Sequence, residues 1–222
     1  MYVADTANRR IQSLSLSGST GTGVTVVSNI ESVSALYVDK EGVNIYVALR
    51  YFDQVEKWTK DGKSGVQIGG QCKQCAGVWI DGEQNVYMTE SGAHRVLQWS
   101  PKTKTTVTVA GQADDEGHST DLLYFPTGIY VSSTDSTLYI ADTSNNRIQK
   151  WNKDAKQGTT VAGCQNGTSG YNASFLSSPL DVFVDDKSNI VYIADSDNNR
   201  VQKWLPNQSS GSTIAGNGCN FV

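Results

Sequence analysis

The sequence predicts an all-β fold, a β-propeller of about five four-stranded blades, on three observations. One tyrosine-led segment recurs five times along the chain. Short runs of Val, Ile, Tyr and Trp alternate with Gly, Asn, Asp and Ser, and no stretch keeps the helical period of about 3.6 residues. Because alternating apolar runs between turn residues indicate strands, and a long internal period indicates a repeat architecture, the propeller is the predicted class.

The recurring segment runs from a tyrosine to an isoleucine or valine nine positions later. Its five copies are 2–11, 46–55, 87–96, 139–148 and 192–201. Successive tyrosines are 44, 41, 52 and 53 residues apart, close to the length of a four-stranded blade, about 40–50 residues. These spacings predict a single domain, 1–222, with units at approximately 1–28, 29–70, 71–111, 112–163 and 164–222.

Each unit contains four short patterned runs, labelled strands a to d from the axis outward. The first unit begins at strand b, so we expect it to lack its innermost strand. A four-stranded sheet cannot cover both of its faces, and the blades must therefore stack around an axis. One position of strand a is aromatic throughout, in Tyr37, Trp79, Tyr130 and Phe183. We expect these rings to pack between blades, and the five units to form a nearly closed ring.

Two positions before each of these aromatic residues, the side chain is small in three units and acidic in the fourth. The four residues are Ala35, Gly77, Gly128 and Asp181. Inner strands crowd the axis, so small residues are expected there. Asp181 is the clear departure. The four positions are the candidate binding residues of an axial channel.

An acid and an arginine five positions apart recur in the turn between strands b and c. The pairs are Asp5 with Arg10, Glu90 with Arg95, Asp142 with Arg147, and Asp195 with Arg200. In the second unit both are absent, with Leu49 and Gln54 in their places. Since the two are present or lost together, we expect them to meet and to stiffen a blade corner. A catalytic group is expected once in the chain, not four times, and no catalytic residue is assigned.

The pattern [YV]-[IV]-A-D-[ST]-x-N-x-R-[IV]-Q-K-W, together with the preceding strands at 126–131 and 179–185, resembles the NHL repeat. The resemblance covers essentially the whole chain. The V-A-G and Q-K-W tags are similar to those of tandem NHL proteins of invertebrates such as rotifers. The resemblance implies a propeller, usually of six blades, so that five units without a first inner strand look like a truncated one.

The four cysteines, Cys72, Cys75, Cys164 and Cys219, all lie in segments rich in Gly, Ser and Asn. Cys72 and Cys75 form a C-x-x-C, which suits a disulfide, a redox pair or half of a zinc site. No helix is evident for a redox thiol, and the disulfide is favoured. Cys164 and Cys219 flank one blade and could pair.

Three sequons, at Asn166, Asn172 and Asn207, predict glycosylation sites in loop-like sequence. Disulfides form in oxidising compartments. The cysteines and sequons together predict an extracellular or cell-surface protein, and the chain as given begins without a recognisable signal peptide.

Composition argues against two classes of partner. A net charge of −4 with a pI near 5.1 offers no basic field for phosphates, so no nucleic acid is expected. No apolar run approaches the roughly 20 residues needed to cross a bilayer, so no membrane insertion is expected. His94 and His118 are far apart, and no metal or cofactor site is predicted. Calcium at the acids of 114–121, or zinc, are weak alternatives.

The predicted function is a non-catalytic binding or scaffold module that presents a propeller face and axial mouth to a protein or glycan partner. The links after the third and fourth units are about ten residues longer than the link after the second, which gives an uneven rim on a rigid frame. The alternative, implied by the resemblance, is a metal-dependent lyase, lactonase or hydrolase that uses the axial channel. That activity needs converging carboxylates, and Asp181 is the clear candidate.

Overall fold

The computed structural model describes residues 1–15, 23–60 and 64–216. Within these ranges the chain forms 19 strands in five antiparallel sheets. Each sheet keeps its strands in chain order, so every blade is a simple meander. The predicted all-β propeller of five blades is confirmed, and so is the first blade of three strands.

The strand bounds are as follows. Blade 1 contains β1 (Tyr2–Asp5), β2 (Arg10–Ser13) and β3 (Val24–Ser28). Blade 2 contains β4 (Val33–Val38), β5 (Asn44–Leu49), β6 (Gln54–Thr59) and β7 (Val66–Gln71). Blade 3 contains β8 (Cys75–Ile80), β9 (Val86–Glu90), β10 (Arg95–Ser100) and β11 (Thr105–Gly111). Blade 4 contains β12 (Pro126–Val131), β13 (Leu138–Asp142), β14 (Arg147–Trp151) and β15 (Thr159–Gly163). Blade 5 contains β16 (Pro179–Asp185), β17 (Ile190–Asp195), β18 (Arg200–Trp204) and β19 (Ser212–Gly216).

One turn of 3₁₀ helix joins strands b and c in every blade. These turns are Thr6–Asn8, Arg50–Phe52, Ser91–Ala93, Thr143–Asn145 and Ser196–Asn198. None of the helices in the described ranges has the length or the apolar character to span a membrane. The residue after each turn is left-handed, with φ between 50° and 57°, at Arg9, Asp53, His94, Asn146 and Asn199. After glycine, Asn and Asp tolerate this conformation best, which explains why the position is Asp or Asn in three of the five blades.

The residue in the left-handed conformation also accepts a hydrogen bond from the link that enters the next blade. In three cases its side chain receives the backbone N–H of the residue immediately before the next strand a. The bonds run from Gln74 N to Asp53 Oδ1 (2.6 Å), from Phe125 N to His94 Nδ1 (3.2 Å) and from Ser178 N to Asn146 Oδ1 (3.0 Å). The side chain of His94 therefore joins blade 3 to the link that enters blade 4.

Hydroxyl groups form a second link between blades. The first residue of the 3₁₀ turn donates to the first carbonyl of the next strand a, as Thr143 does to Pro179 O at 2.8 Å. Thr6 and Ser91 make the corresponding bonds. In blade 2 this position is Arg50, and Ser34 Oγ donates to Cys75 O at 2.8 Å instead.

Four apolar clusters hold the blades together, one at each junction between consecutive blades in the described ranges. The junction of blades 3 and 4, for example, contains Val96, Ile140 and Trp151. Among the described residues no apolar cluster joins blade 5 to blade 1, so the described strands form an open arc where we expected a nearly closed ring. Blade 1 has no strand a. In blades 2 to 5, strand a of each blade contacts strand a of the next blade nearest the axis.

Candidate functional site

The axis of the arc holds a cavity of about 450 Å³, lined by strand a of blades 2 to 5. All four candidate binding residues, Ala35, Gly77, Gly128 and Asp181, line this cavity. The structure thus brings together the positions that the repeat pattern singled out. The two glycines are needed for packing, because a Cβ at Gly77 would lie 2.3 Å from Thr127 O and one at Gly128 would lie 2.2 Å from Asp181 Oδ1.

The four aromatic residues of strand a form a continuous belt around the axis. Ring centroids are 4.9 Å apart for Tyr37 and Trp79, 4.7 Å for Trp79 and Tyr130, and 5.2 Å for Tyr130 and Phe183. The expected packing between blades is therefore present. Phe183, at the end of the belt, remains 52% exposed. The belt separates the cavity from a second one of about 370 Å³ at the other end of the axis.

Asp181 has an unusual electrostatic environment. Its carboxylate opens into the axial cavity, and its one hydrogen bond among the described residues comes from Val182 N, at 2.9 Å. The Asp181 side chain is exposed to the open cavity, but the protein atoms around it partly desolvate the carboxyl and raise its pKa above the ordinary value of 3.8. No described cation lies within ion-pair distance of it.

Arg50 lines the same cavity, and sequence analysis did not identify it. Its guanidinium lies 5.2 Å from the ring centroid of Phe125, the residue before strand a of blade 4. It forms no ion pair within the described ranges. A signal was available, because the same position is Thr or Ser in the other four units, at Thr6, Ser91, Thr143 and Ser196.

The b–c turns and the links between blades together form one face of the propeller, here called the link face. In blade 4 the predicted pair meets there, with Arg147 Nε 2.7 Å from Asp142 Oδ2 and both side chains fully buried. The remaining guanidinium N–H groups bond to the carbonyls of His118, Gln165, Ser119 and Leu122, at 2.6, 2.8, 3.2 and 3.2 Å. The arginine uses all five donors and holds the link of residues 112–125 in place.

Blade 5 repeats this arrangement 53 residues later. Arg200 Nε lies 2.7 Å from Asp195 Oδ2, and the pair is again buried. The guanidinium donates to the carbonyls of Tyr171, Asn172 and Phe175 at 2.7, 3.0 and 3.0 Å. These three residues are the equivalents of His118, Ser119 and Leu122, so the arginine holds residues 118–122 and 171–175 in the same way.

The acids also hold the links directly. Tyr124 N donates to Asp142 Oδ1 and Ser177 N to Asp195 Oδ1, each at 2.7 Å. In blade 3, Lys73 N donates to Glu90 Oε1 at 2.8 Å. Each acid therefore fixes the link that enters its own blade.

The other two predicted pairs also meet, but in more open surroundings. Arg10 Nε lies 2.8 Å from Asp5 Oδ2, and Arg95 Nε lies 2.5 Å from Glu90 Oε2. Arg10 lowers the pKa of the Asp5 carboxyl below its ordinary value, chiefly through this hydrogen bond. Within the described ranges, neither arginine donates a hydrogen bond to a link carbonyl.

Exposed aromatic side chains collect on the link face. The four are Tyr51 (87% exposed), Phe52 (52%), Tyr124 (40%) and Tyr171 (78%). Tyr51 and Phe52 belong to the b–c turn of blade 2, and the other two belong to the long links. Among the described residues the one other exposed aromatic side chain is Phe183, at the axis.

The structure joins Cys72 and Cys75 in a disulfide that is fully buried between blades 2 and 3. Cys164 forms no disulfide with a described residue, and its thiol donates to Asn166 Oδ1 at 2.9 Å. Cys219, its suggested partner, lies outside the described residues. No three His, Cys, Asp or Glu side chains in the described ranges lie together as candidate metal ligands.

All three sequon asparagines have exposed side chains. Asn166 and Asn172 lie in the link between blades 4 and 5, on the link face. Asn207 lies in the c–d turn of blade 5, on the opposite face. The backbone carbonyl of His118 accepts a hydrogen bond from Arg147. Within the described ranges, neither His118 nor His94 belongs to a group of three possible metal ligands.

Comparison with known proteins agrees with this architecture. The family model for the NHL repeat matches residues 123–151 and 176–204, which contain strands a, b and c of blades 4 and 5. Human NHL repeat-containing protein 2 is 29% identical over 98 residues. That alignment covers 41% of this chain and 14% of the human protein.

Solved propellers have a similar fold at low sequence identity. A streptogramin B lyase structure has a TM-score of 0.66 and 15% identity, with 96% of this chain and 64% of that chain covered. A chain of the nidogen/laminin complex has a TM-score of 0.72 and 16% identity, with 94% and 76% covered. The virginiamycin B lyase of Staphylococcus aureus has a TM-score of 0.64 and 12% identity, with 96% and 65% covered.

The chain therefore spans less than two thirds of these lyase chains and a small part of the human protein. The two family-model matches fall on the strands and the acid–arginine turn that recur in the other blades. With the propeller fold, they support the resemblance of this chain to the NHL-repeat family.

Proposed function

We propose that this chain is a non-catalytic binding module whose link face receives a protein partner. The observation that carries the proposal is the combination, on one face, of two clamped long links with four exposed aromatic side chains. Each part contributes differently to binding.

The clamped links supply a surface that is already ordered before the partner arrives. Arg147 and Arg200 fix the backbone of residues 118–122 and 171–175 by hydrogen bonds to their carbonyls. Binding to a preformed loop avoids most of the entropy cost of ordering that loop. The uneven rim is therefore a shape that a partner can recognise.

The exposed aromatic residues supply the contact area. Tyrosine and phenylalanine are enriched at protein interfaces because they bury a large apolar area with few rotatable bonds. Tyr51 and Tyr171 are the most exposed large apolar side chains on the link face, at 87% and 78%. The nidogen/laminin structure, which is a complex of two proteins, shows that a similar fold occurs in such an assembly.

The test compares three baits for affinity capture from cells and medium of the source organism. They are the unchanged chain, the double variant Tyr51→Ser with Tyr171→Ser, and the control Leu205→Ser, whose residue is 50% exposed on the opposite face. A protein retained by the first and third baits but lost from the second, with a dissociation constant then measured on purified components, supports the proposal. Equal retention by all three contradicts it, and glycan-array binding lost in the double variant would change the partner class to glycan.

A second candidate is an enzyme that uses the axial cavity with a metal ion. Asp181 favours it, because desolvation raises the pKa of this carboxyl and it opens into a cavity. Lyases are among the similar folds. Turnover of a lactone, ester or cyclic peptide in the presence of calcium or zinc, abolished in Asp181→Asn, would replace the binding-module proposal.

We further propose an extracellular or cell-surface location, supported by the Cys72–Cys75 disulfide and the exposed sequons. Expression through a secretory pathway should add glycan at Asn166, Asn172 and Asn207. Mass spectrometry before and after deglycosylation measures it, and unmodified peptides at all three sites would count against this location.

A further inference from the structure

Two charged side chains depart from the repeat, and both line the axial cavity. Arg50 replaces the hydroxyl residue that opens the 3₁₀ turn in the other four blades. Asp181 replaces the small residue of strand a in blades 2 to 4. The two residues occupy different positions of the repeat, lie in different blades and carry opposite charges. Both nevertheless line the same cavity. This convergence separates them from the repeated acid–arginine pairs, which are part of the frame.

The two charges are not paired with each other or with another described side chain. The Arg50 guanidinium has its described contact with the Phe125 ring. The Asp181 carboxylate keeps an oxygen without a described partner. A ligand that carries the complementary charges would pair with both groups, because both line one cavity and neither has a charged partner among the described residues.

The two charges lie beside different residues at and before strand β12. The guanidinium lies against Phe125, immediately before this strand, and Asp181 Oδ1 lies beside Gly128, three residues further along. The two groups do not pair with each other, so a single ligand that meets both must carry its positive and negative charges on separate groups. The two free ends of a short peptide are such a pair of groups.

The rest of the cavity suits the body of such a ligand. Its volume of about 450 Å³ lies within the usual range of small-ligand sites, about 300–1,000 Å³. Apart from the two charges its walls include Leu36, Val78 and Ile129, and the aromatic belt forms its floor. These surfaces favour apolar side chains.

We propose that the axial cavity binds short apolar peptides, with the N-terminal ammonium on Asp181 and the C-terminal carboxylate on Arg50. This site is separate from the link face, and the proposal goes beyond the protein-binding function assigned to that face. It predicts recognition of both peptide ends and little dependence on side-chain identity beyond apolar character.

The test is calorimetric titration with the peptide Ala-Phe-Ala, its N-acetylated form and its C-terminal amide. Each hydrogen bond to a charged end contributes about 1.5–3 kcal/mol, so removing either end charge should weaken binding by about tenfold or more. In Asp181→Asn, acetylation should cause no further loss. In Arg50→Gln, amidation should cause no further loss.

Two controls keep the result specific. Lys40→Gln changes a charge at the second axial cavity and should bind like the unchanged chain. The double variant Tyr51→Ser with Tyr171→Ser should also bind the peptide, which separates this site from the link face. Neither Asp181 nor Arg50 forms an ion pair within the described residues, so their variants should stay folded, as thermal melts would verify.

Three outcomes of the peptide titrations would overturn the proposal. They are no saturable binding of Ala-Phe-Ala at millimolar concentration, equal binding of the free and blocked peptides, and dependence on only one peptide end. Loss of peptide binding in Lys40→Gln but not in Asp181→Asn would also overturn it, because the ligand would then occupy the other cavity.

Discussion

Blades 4 and 5 carry the same acid–arginine pair as blades 1 and 3, but in a different environment. In blades 4 and 5 a link of 14 or 15 residues, 112–125 or 164–178, lies over the pair and buries it. The link into blade 3 is only residues 72–74, and the pair there is partly open to solvent. Blade 2, entered by residues 29–32, has no pair.

The difference shows what the pair does. A long link has many backbone carbonyls that secondary structure does not satisfy, and the guanidinium supplies donors for them. The link in turn excludes water from the ion pair. Where the link is short, a disulfide or a few backbone bonds hold it, and the arginine has less to bind. The pair is therefore a loop clamp whose importance depends on link length.

The largest expected effect is from removing the acid in blade 4. Asp142→Ala leaves the buried charge of Arg147 without its partner, which typically costs about 3–5 kcal/mol. For a chain of this size that corresponds to a fall in Tm of roughly 10 °C. Asp5→Ala, at an exposed pair, is the control and should change Tm little. Equal losses in the two variants, by thermal melting followed by circular dichroism, would contradict the loop-clamp account.

The ends of strand d allow a second comparison. Gly163 has φ near +80°, and a Cβ there would lie 2.4 Å from Asn146 O, so Gly163→Ala should cost about 2–4 kcal/mol. Gly70 has φ near +79° but nothing within 4 Å of its would-be Cβ. Gly70→Ala should therefore cost only the backbone strain, about 1–2 kcal/mol. Urea unfolding measures both, and a larger loss at Gly70 would show that blade 2 is the more tightly built region.

Removing the disulfide tests whether it stabilises the short link of residues 72–74. Cys72→Ala with Cys75→Ala removes a crosslink that closes only a four-residue loop, and should cost about 2 kcal/mol. Cys164→Ala, at a cysteine that forms no disulfide with a described residue, should change stability little. Chemical denaturation of the three proteins without reductant gives the values. A loss no greater in the double variant than in Cys164→Ala would show that backbone contacts alone hold this link.

The smallest expected effect on stability comes from replacing Asp181, which we compare with Asp142 because desolvation raises the pKa of both carboxyls. Desolvation raises the pKa of both Asp142 and Asp181, but Asp142 has Arg147 and Asp181 has no described cation. A carboxyl whose folded pKa exceeds its unfolded value lowers stability at neutral pH, and the penalty disappears as the pH falls below 3.8. Asp181→Asn should therefore raise Tm at pH 7, and the gain should vanish in acid. A gain that is constant with pH, or a loss at pH 7, would contradict this account.

Most of the fold was predictable from the repeat pattern, because each feature of the pattern occurs in several copies. Tyrosine spacing located the blades, and joint occurrence of Asp142 with Arg147 indicated their contact. The clamp itself was not predictable in the same way, because its acceptors are backbone carbonyls, which have no sequence signature. A weaker signal existed, since 117–126 and 170–179 share glycine, leucine and proline at the same spacing.

The axial site was predicted only in part, for a related reason. Asp181 was visible as a departure within one aligned strand. Arg50 lies in a turn of blade 2 where the repeat is already broken, and its approach to the axis follows from the arrangement of three blades around Phe125. The open arc was also missed, since packing between the first and last units depends on geometry around the whole axis.

The bonds from Gln74, Phe125 and Ser178 to the left-handed residue of the preceding blade set a limit on how the chain could be divided. One excised repeat would keep an unmet backbone N–H at its entry and a bare apolar sheet side. Two consecutive repeats satisfy one such donor and cover one such side. The smallest fragment with native-like cooperativity should therefore be a pair of neighbouring blades, and engineered shortening of this protein would best proceed in whole blades with their entering links attached.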